Sequence, residues 1–127
     1  PTKSQVASNA SVLSHSTSSV SDKRWNSDSG ATSHMTHCRE LLLHAHLHKV
    51  PIPIANGVVV YSELVGKILL RPLLVHGQIR RPIYLTNGLY VPLLSHNLIS
   101  TTYLSQVHRY SILMNEHTIL FKQSPPV

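Results

Sequence analysis

The dipeptide Asn56-Gly57, set between the runs Val50–Ala55 and Val58–Tyr61, constrains the fold of this chain more than any other short feature. A two-residue type I′ turn needs positive φ at both central residues, and Asn followed by Gly adopts it at low cost. A β-hairpin is therefore expected at this point. Pro51 and Pro53 have no amide hydrogen to give to a ladder, so the first strand should lie on an edge or face solvent at those positions. The same texture runs onward from Trp25, with Val, Ile, Leu and Tyr in short runs broken by Gly and Pro. Further strands are expected at Lys67–Val75, Gln78–Leu85, Leu89–Val91, Tyr110–Met114 and Thr118–Lys122. One short helix is expected within Ser95–Leu104, with Leu98, Ile99 and Leu104 turned inward. Trp25–Gln123 thus reads as one mainly β domain, closed or sandwiched.

The 24 residues before that domain read differently. Up to Ser21 they are rich in Ser, and Val6, Val12, Leu13 and Val20 follow no sustained period, which is the composition of a disordered linker. The chain starts without Met and residues 124–127 form a short tail, so it reads as a piece of a longer protein.

Composition excludes several function classes. A single Cys38 rules out an internal disulfide and points to a reducing, intracellular, cytoplasmic setting. The start lacks the regions of a signal peptide, and no apolar run approaches the roughly 18 residues that cross a bilayer, so no membrane is expected. The formal charge of +6 comes from 11 basic residues scattered along the chain, which argues against specific nucleic-acid recognition.

Five carboxylates are present, and Asp28 stands in the most suggestive setting, Asp28-Ser29-Gly30-Ala31-Thr32. An aspartic peptidase needs a carboxylate that faces a twin and shares a proton with it, because two like charges a few ångströms apart cannot both ionise near neutrality. The adjoining hydroxyl of Ser29 would brace paired loops, and Gly30 would let the backbone pass close to the carboxylate. One chain supplies one such loop, so a catalytic site would require a two-fold homodimer. The competing reading is a surface turn in which Asp28 accepts from a backbone amide two residues on.

The wider context resembles a known family. Trp25-Asn26-Ser27-Asp28-Ser29-Gly30-Ala31-Thr32-Ser33-His34-Met35-Thr36 is similar to the start of the protease region in copia-type LTR-retrotransposon Gag-Pol polyproteins. In the same order, Ile54-Ala55-Asn56-Gly57 looks like that family's flap-side hairpin and Leu89-Tyr90-Val91-Pro92 like one of its strands. Ser95-His96-Asn97-Leu98-Ile99-Ser100 looks like its Asn-Leu-Leu-Ser segment. The resemblance implies a small retropepsin-like closed β-barrel with one short helix, acting as a homodimer on a polyprotein peptide without a cofactor. Asp28 would be the catalytic residue, Ser29, Gly30, Ala31 and Thr32 its supporting loop, and Asn56 and Gly57 the tip of the flap. His34 would support the active-site loop.

Some positions depart from the family pattern. Asn26 and Ser27 stand where aliphatic residues of a buried strand are usual, and burying both without partners would cost a few kcal/mol. Leu64 replaces the first glycine of the flap return, leaving Gly66, and Gly88 replaces an aliphatic, which should remove a core side chain. Such changes suit a decaying genomic copy. The alternative function is a catalytically silent β-barrel segment of the polyprotein. A weaker one is a metal-binding module, since His44, His46 and His48 at i, i+2 spacing would share one face of a strand. Against it, alternation alone would turn Leu43, Ala45 and Leu47 to the core and these histidines to solvent, so no metal site is assigned. Cys38 reads as a half-buried thiol.

Overall fold

A computed structural model describes residues 4–8, 10, 25–70, 83–108, 110–114 and 119–123. Among these residues the chain is mainly β, with ten strands and one short helix, α1 (Thr101–Tyr103), which runs into a π-type turn over Leu104–His108. The strands are β1 (Trp25–Asp28), β2 (Met35–Thr36), β3 (Leu42–Leu47), β4 (Pro51–Pro53) and β5 (Val59–Tyr61). They continue as β6 (Leu64–Leu70), β7 (Ile83–Tyr90), β8 (Asn97–Ser100), β9 (Tyr110–Met114) and β10 (Ile119–Gln123). Six of them form one sheet in the order β1-β8-β2-β7-β6-β3, and β4-β5 and β9-β10 form two-stranded sheets. Among the described residues no sheet closes on itself, so the expected closed barrel is not seen there. No described helix is long and apolar enough to cross a membrane.

The β4–β5 hairpin forms where the turn dipeptide stands. Asn56 and Gly57 both have positive φ, 64° and 73°. The loop, however, has three residues rather than two, with Ile54 N–H donating to Val58 O at 2.8 Å. The register explains the difference: Ile52 lies opposite Val60, and both are buried. A slip of one residue would place Val60 opposite Pro53, on the solvent side. Pro51 and Pro53 are exposed, as their missing donors require.

Two expected strands merge into one. The sequence suggests a break between Leu85 and Leu89, but β7 runs through it as a bulge, with Asn87 at φ 54° and the pairing to β6 shifting between Gly66 and Ile68. Gly88 leaves no void there. A Cβ on it would fall 2.3 Å from Cδ1 of Ile68, whose buried side chain fills the space an aliphatic would take. Gly66 belongs to β6, inside the main sheet, rather than to the hairpin, and its missing Cβ admits the carbonyl oxygen of Leu43. The extensions expected at residues 71–75 and 78–82, Thr118 and the 124–127 tail lie outside the described residues.

Within Ser95–Leu104, Asn97–Ser100 forms strand β8 and the one short helix expected in that span follows it at Thr101–Tyr103. Leu98, Ile99 and Leu104 are nevertheless buried as expected. Asn26 and Ser27 correct another expectation: both are exposed, because β1 is the outermost strand of its sheet. Two apolar clusters form the core. One gathers Met35, Ile52, Ile54, Val60, Leu89, Val91, Leu94 and Leu98, and the other Leu42, Ile68, Leu70, Leu85, Ile99 and Leu104.

The first cluster also contains Ala7 and Ala10. Ala7 and Ala10, within the stretch expected as a disordered linker, thus pack into the first cluster. Ala7 forms bridges to both Ala31 and Ile54, and its amide donates to Pro53 O at 2.9 Å. A small side chain flanked by backbone partners on two sides can be buried without an apolar period around it. Residues 1–3, 9 and 11–24 lie outside the described residues.

Candidate functional site

Asp28 is the last residue of β1 and is only 4% exposed. Its Oδ1 accepts from Gly30 N–H at 2.7 Å, and its carbonyl accepts from Ala31 N–H at 3.3 Å. The first bond is the one the turn reading anticipates, and the central residues of the turn reach the surface, but Asp28 itself is buried. Ala31 and Ser33 are buried beyond it, while Ser29 and Thr32 are exposed. In the single chain Ser29 is held through its backbone, its carbonyl accepting from Thr102 Oγ1 at 3.1 Å.

The loop is clamped from below by Ser100, which lies opposite Asp28 in the parallel β1–β8 register. Ser100 Oγ donates to Ala31 O at 2.6 Å and accepts from Tyr103 N–H at 3.0 Å, so one hydroxyl ties the Asp28 loop to the start of α1. The Ser100 amide donates to His34 Nδ1 at 3.1 Å. That bond requires an unprotonated Nδ1, so a neutral His34 carries its proton on Nε2. The ring is fully buried and meets Tyr103 edge-on with centroids 5.0 Å apart. His34 is thus tied through the Ser100 amide to the strand that holds the loop.

A second buried polar group stands one strand pair away. Thr36 Oγ1 donates to Asn97 Oδ1 at 2.7 Å, and the same oxygen accepts from His37 N–H at 3.2 Å. Asn97 Nδ2 is buried with no hydrogen-bond partner among the described residues. Cys38 is buried rather than half-buried, its amide donating to Thr36 Oγ1 and its Sγ 3.9 Å from His37 Nδ1. Farther off, burial above all, with the Glu63 carboxylate adding to it, pushes the Tyr90 phenol above its ordinary range.

The hairpin carrying Asn56 and Gly57 meets the Asp28 loop through the Gln5–Ala10 segment. Thr32 N–H donates to Val6 O at 3.1 Å, and Val6 N–H donates to Thr32 Oγ1 at 3.1 Å. Gln5 Oε1 accepts from the hydroxyls of Thr32 and Ser33 at 2.5 and 2.9 Å. On the other side Ala55 N–H donates to Ala10 O at 3.2 Å. Asp28, Ser29, Gly30, Ala31 and Thr32 therefore come together as one loop, and Asn56 and Gly57 lie at the tip of a separate hairpin. Sequence reasoning missed Gln5, Ala7 and Ser100. Ser100 lay within the matched segment Ser95–Ser100, but nothing in the sequence gives its register with Asp28.

The histidine-rich strand assembles no site. His44 and His46 are exposed, and the alternation breaks at His44, which has φ 54° within a register shift between Leu43 and His46. The opposite face is not core either, since Leu47 is 87% exposed. Among the described residues no three His, Cys, Asp or Glu side chains are gathered closely enough to hold a metal ion.

A protein-family model for the beta-barrel domain of Pol polyproteins matches residues 25–109, more than half of the chain. The chain belongs to that family. No curated protein and no solved structure matches it. The matched stretch begins at the first residue of β1 and contains both the Asp28 loop of this Pol beta-barrel domain and its β4–β5 hairpin.

Proposed function

We propose that this Pol polyprotein domain is a retropepsin-like aspartic endopeptidase of the copia type, which processes its polyprotein as a homodimer. The supporting observation is the burial of Asp28 at the end of β1, in a loop held by Ser100 and backed by His34. A buried carboxylate on a braced loop is what a shared-proton dyad needs, because its position must hold to a fraction of an ångström. The chain carries one such loop, so the second carboxylate comes from a second copy. One Asp28 would take a proton from a bound water while its twin donates to the scissile carbonyl. No cofactor takes part, and the substrate is an extended peptide of the polyprotein, bound by strand-like hydrogen bonds.

A catalytically silent segment is the second reading, favoured by the Gly30 N–H bond to Asp28 Oδ1, which an ordinary Asx turn also makes. Incubating a longer precursor with the intact protein and with Asp28→Asn separates the two. The peptidase reading expects cleavage that vanishes in Asp28→Asn and has a bell-shaped pH profile. Sedimentation over a wide concentration range adds a second check, since an active monomer would exclude a shared dyad.

A further inference from the structure

Asparagine followed by glycine carries a latent reaction as well as a turn, because glycine has no side chain to keep its own nitrogen away from the preceding carboxamide. The chain holds two such pairs, Asn56-Gly57 and Asn87-Gly88, and in both the asparagine has positive φ. Their surroundings differ. Asn56 and Gly57 are exposed at the hairpin tip, and nothing stands within 4 Å of where a Cβ on Gly57 would lie. Gly88 is buried within β7, hard against Ile68, and the Asn87 side chain is held, its Nδ2 donating to Tyr103 Oη at 3.0 Å.

Backbone geometry adds a gate at the tip. Closing a succinimide ring between Gly57 N and Asn56 Cγ requires that nitrogen to eclipse the Asn56 Cβ across the Cα–C bond. At ψ 19° it nearly eclipses the Asn56 nitrogen instead. The closed tip, held by the Ile54 N–H bond to Val58 O and the Ala55 N–H bond to Ala10 O, therefore keeps the reacting groups apart. Turning ψ means releasing those bonds, which an exposed two-stranded hairpin does more readily than a strand inside the six-stranded sheet.

We infer that Asn56 is a self-modification site gated by the β4–β5 hairpin. On opening, the Gly57 nitrogen gives up its proton and bonds to Asn56 Cγ, and the carboxamide nitrogen leaves with that proton as ammonia. Water then opens the succinimide. Attack at Cγ gives an ordinary aspartate, which the left-handed tip position accepts as it accepts asparagine. Attack at the main-chain carbonyl gives isoaspartate, whose backbone runs through Cβ and is one carbon longer, so the loop closed by Ile54 and Val58 cannot re-form as it was. Either product adds one negative charge to the tip. The reaction needs neither a second copy nor the Asp28 carboxylate, so the site stands whether or not the domain is a peptidase.

Peptide mapping of the full chain, held at mildly alkaline pH and sampled over days, tests the inference, with isoaspartyl methyltransferase to count the isoaspartate. In the native chain conversion at Asn56 should outpace that at Asn87 by about tenfold or more, and in urea-unfolded chain the two rates should converge, since only folding distinguishes the pairs. Unfolding should also speed Asn56 itself, because the gate is gone. Val60→Ala, which loosens the buried side of the hairpin, should speed Asn56 and leave Asn87 slow. Urea too dilute to expose the amides of Leu89 and Val91, which donate to His34 O and Thr36 O, should do the same without a substitution. Equal rates at Asn56 and Asn87 in the native chain would overturn the proposal. So would conversion at Asn56 that rises only once Leu89 and Val91 lose protection, or that is no slower in the native chain than in the unfolded one.

Discussion

Strands β1 and β8 lie side by side in parallel register, with Asn26 opposite Leu98, Ser27 opposite Ile99 and Asp28 opposite Ser100, yet they live in different environments. All four residues of β8 are buried, while in β1 Asp28 alone is. β8 has a neighbour on each side, β1 and β2, whereas among the described residues β1 is the end strand. Polar residues on an outermost strand discourage unwanted pairing and cost nothing in desolvation. Asn26 and Ser27 are thus the composition of an edge, and they give no physical ground for a misplaced Asp28 loop. The anchoring that the family pattern assigns to aliphatics before the aspartate is carried here by β8.

That contrast can be broken or sharpened by substitution. Ile99→Ala should have the largest effect, because the side chain is wholly buried in the second cluster: a loss of about 2–5 kcal/mol, read from chemical denaturation. A cost below about 1 kcal/mol would mean that β8 is less enclosed than its burial indicates.

Ser100→Ala should follow, at about 1–3 kcal/mol, since it strands the Ala31 carbonyl and the Tyr103 amide. For a domain of this size each kcal/mol lowers Tm by roughly 4–8 °C. Exchange at Ala31 should speed up in the same variant, and an unaltered loop would show that β8 does not anchor Asp28.

The smallest effect is expected from changing Asn26 to Val and Ser27 to Leu together. In a dilute sample the shift should stay under about 0.5 kcal/mol, because both positions already face solvent. A stabilisation that grows with protein concentration would sharpen the comparison, since it would place a second copy over β1. A large gain at every concentration would show the strand to be interior after all.

Much of the β architecture was legible because it rests on local rules. Asn56-Gly57 announced positive φ at both residues, and the prolines announced an edge with their rings outward, since each depends on backbone sterics within a few residues. The antiparallel pair β9–β10 stands within a residue of its expected place for the same reason. Asn87-Gly88 and His44 were less legible: both mark bulges, and a bulge depends on the partner strand as much as on the strand that holds it.

The candidate site divides along the same line. By itself the sequence determined that Asp28 begins a tight turn, that a turn-tipped hairpin follows and that one chain supplies one such loop. Tertiary structure alone decided that Asp28 is buried, that Ser100 and His34 hold its loop, and that residues 5–8 and 10 join it to the hairpin. Those partners lie 69, 66 and 26 residues apart along the chain, in the bonds Ser100–Ala31, Ser100–His34 and Val6–Thr32. No periodicity encodes a hydrogen bond between side chain and backbone over such separations. It forms only once sheet order and register have brought the two segments together, and Ala7 in a Ser-rich stretch shows no apolar pattern to foretell its burial.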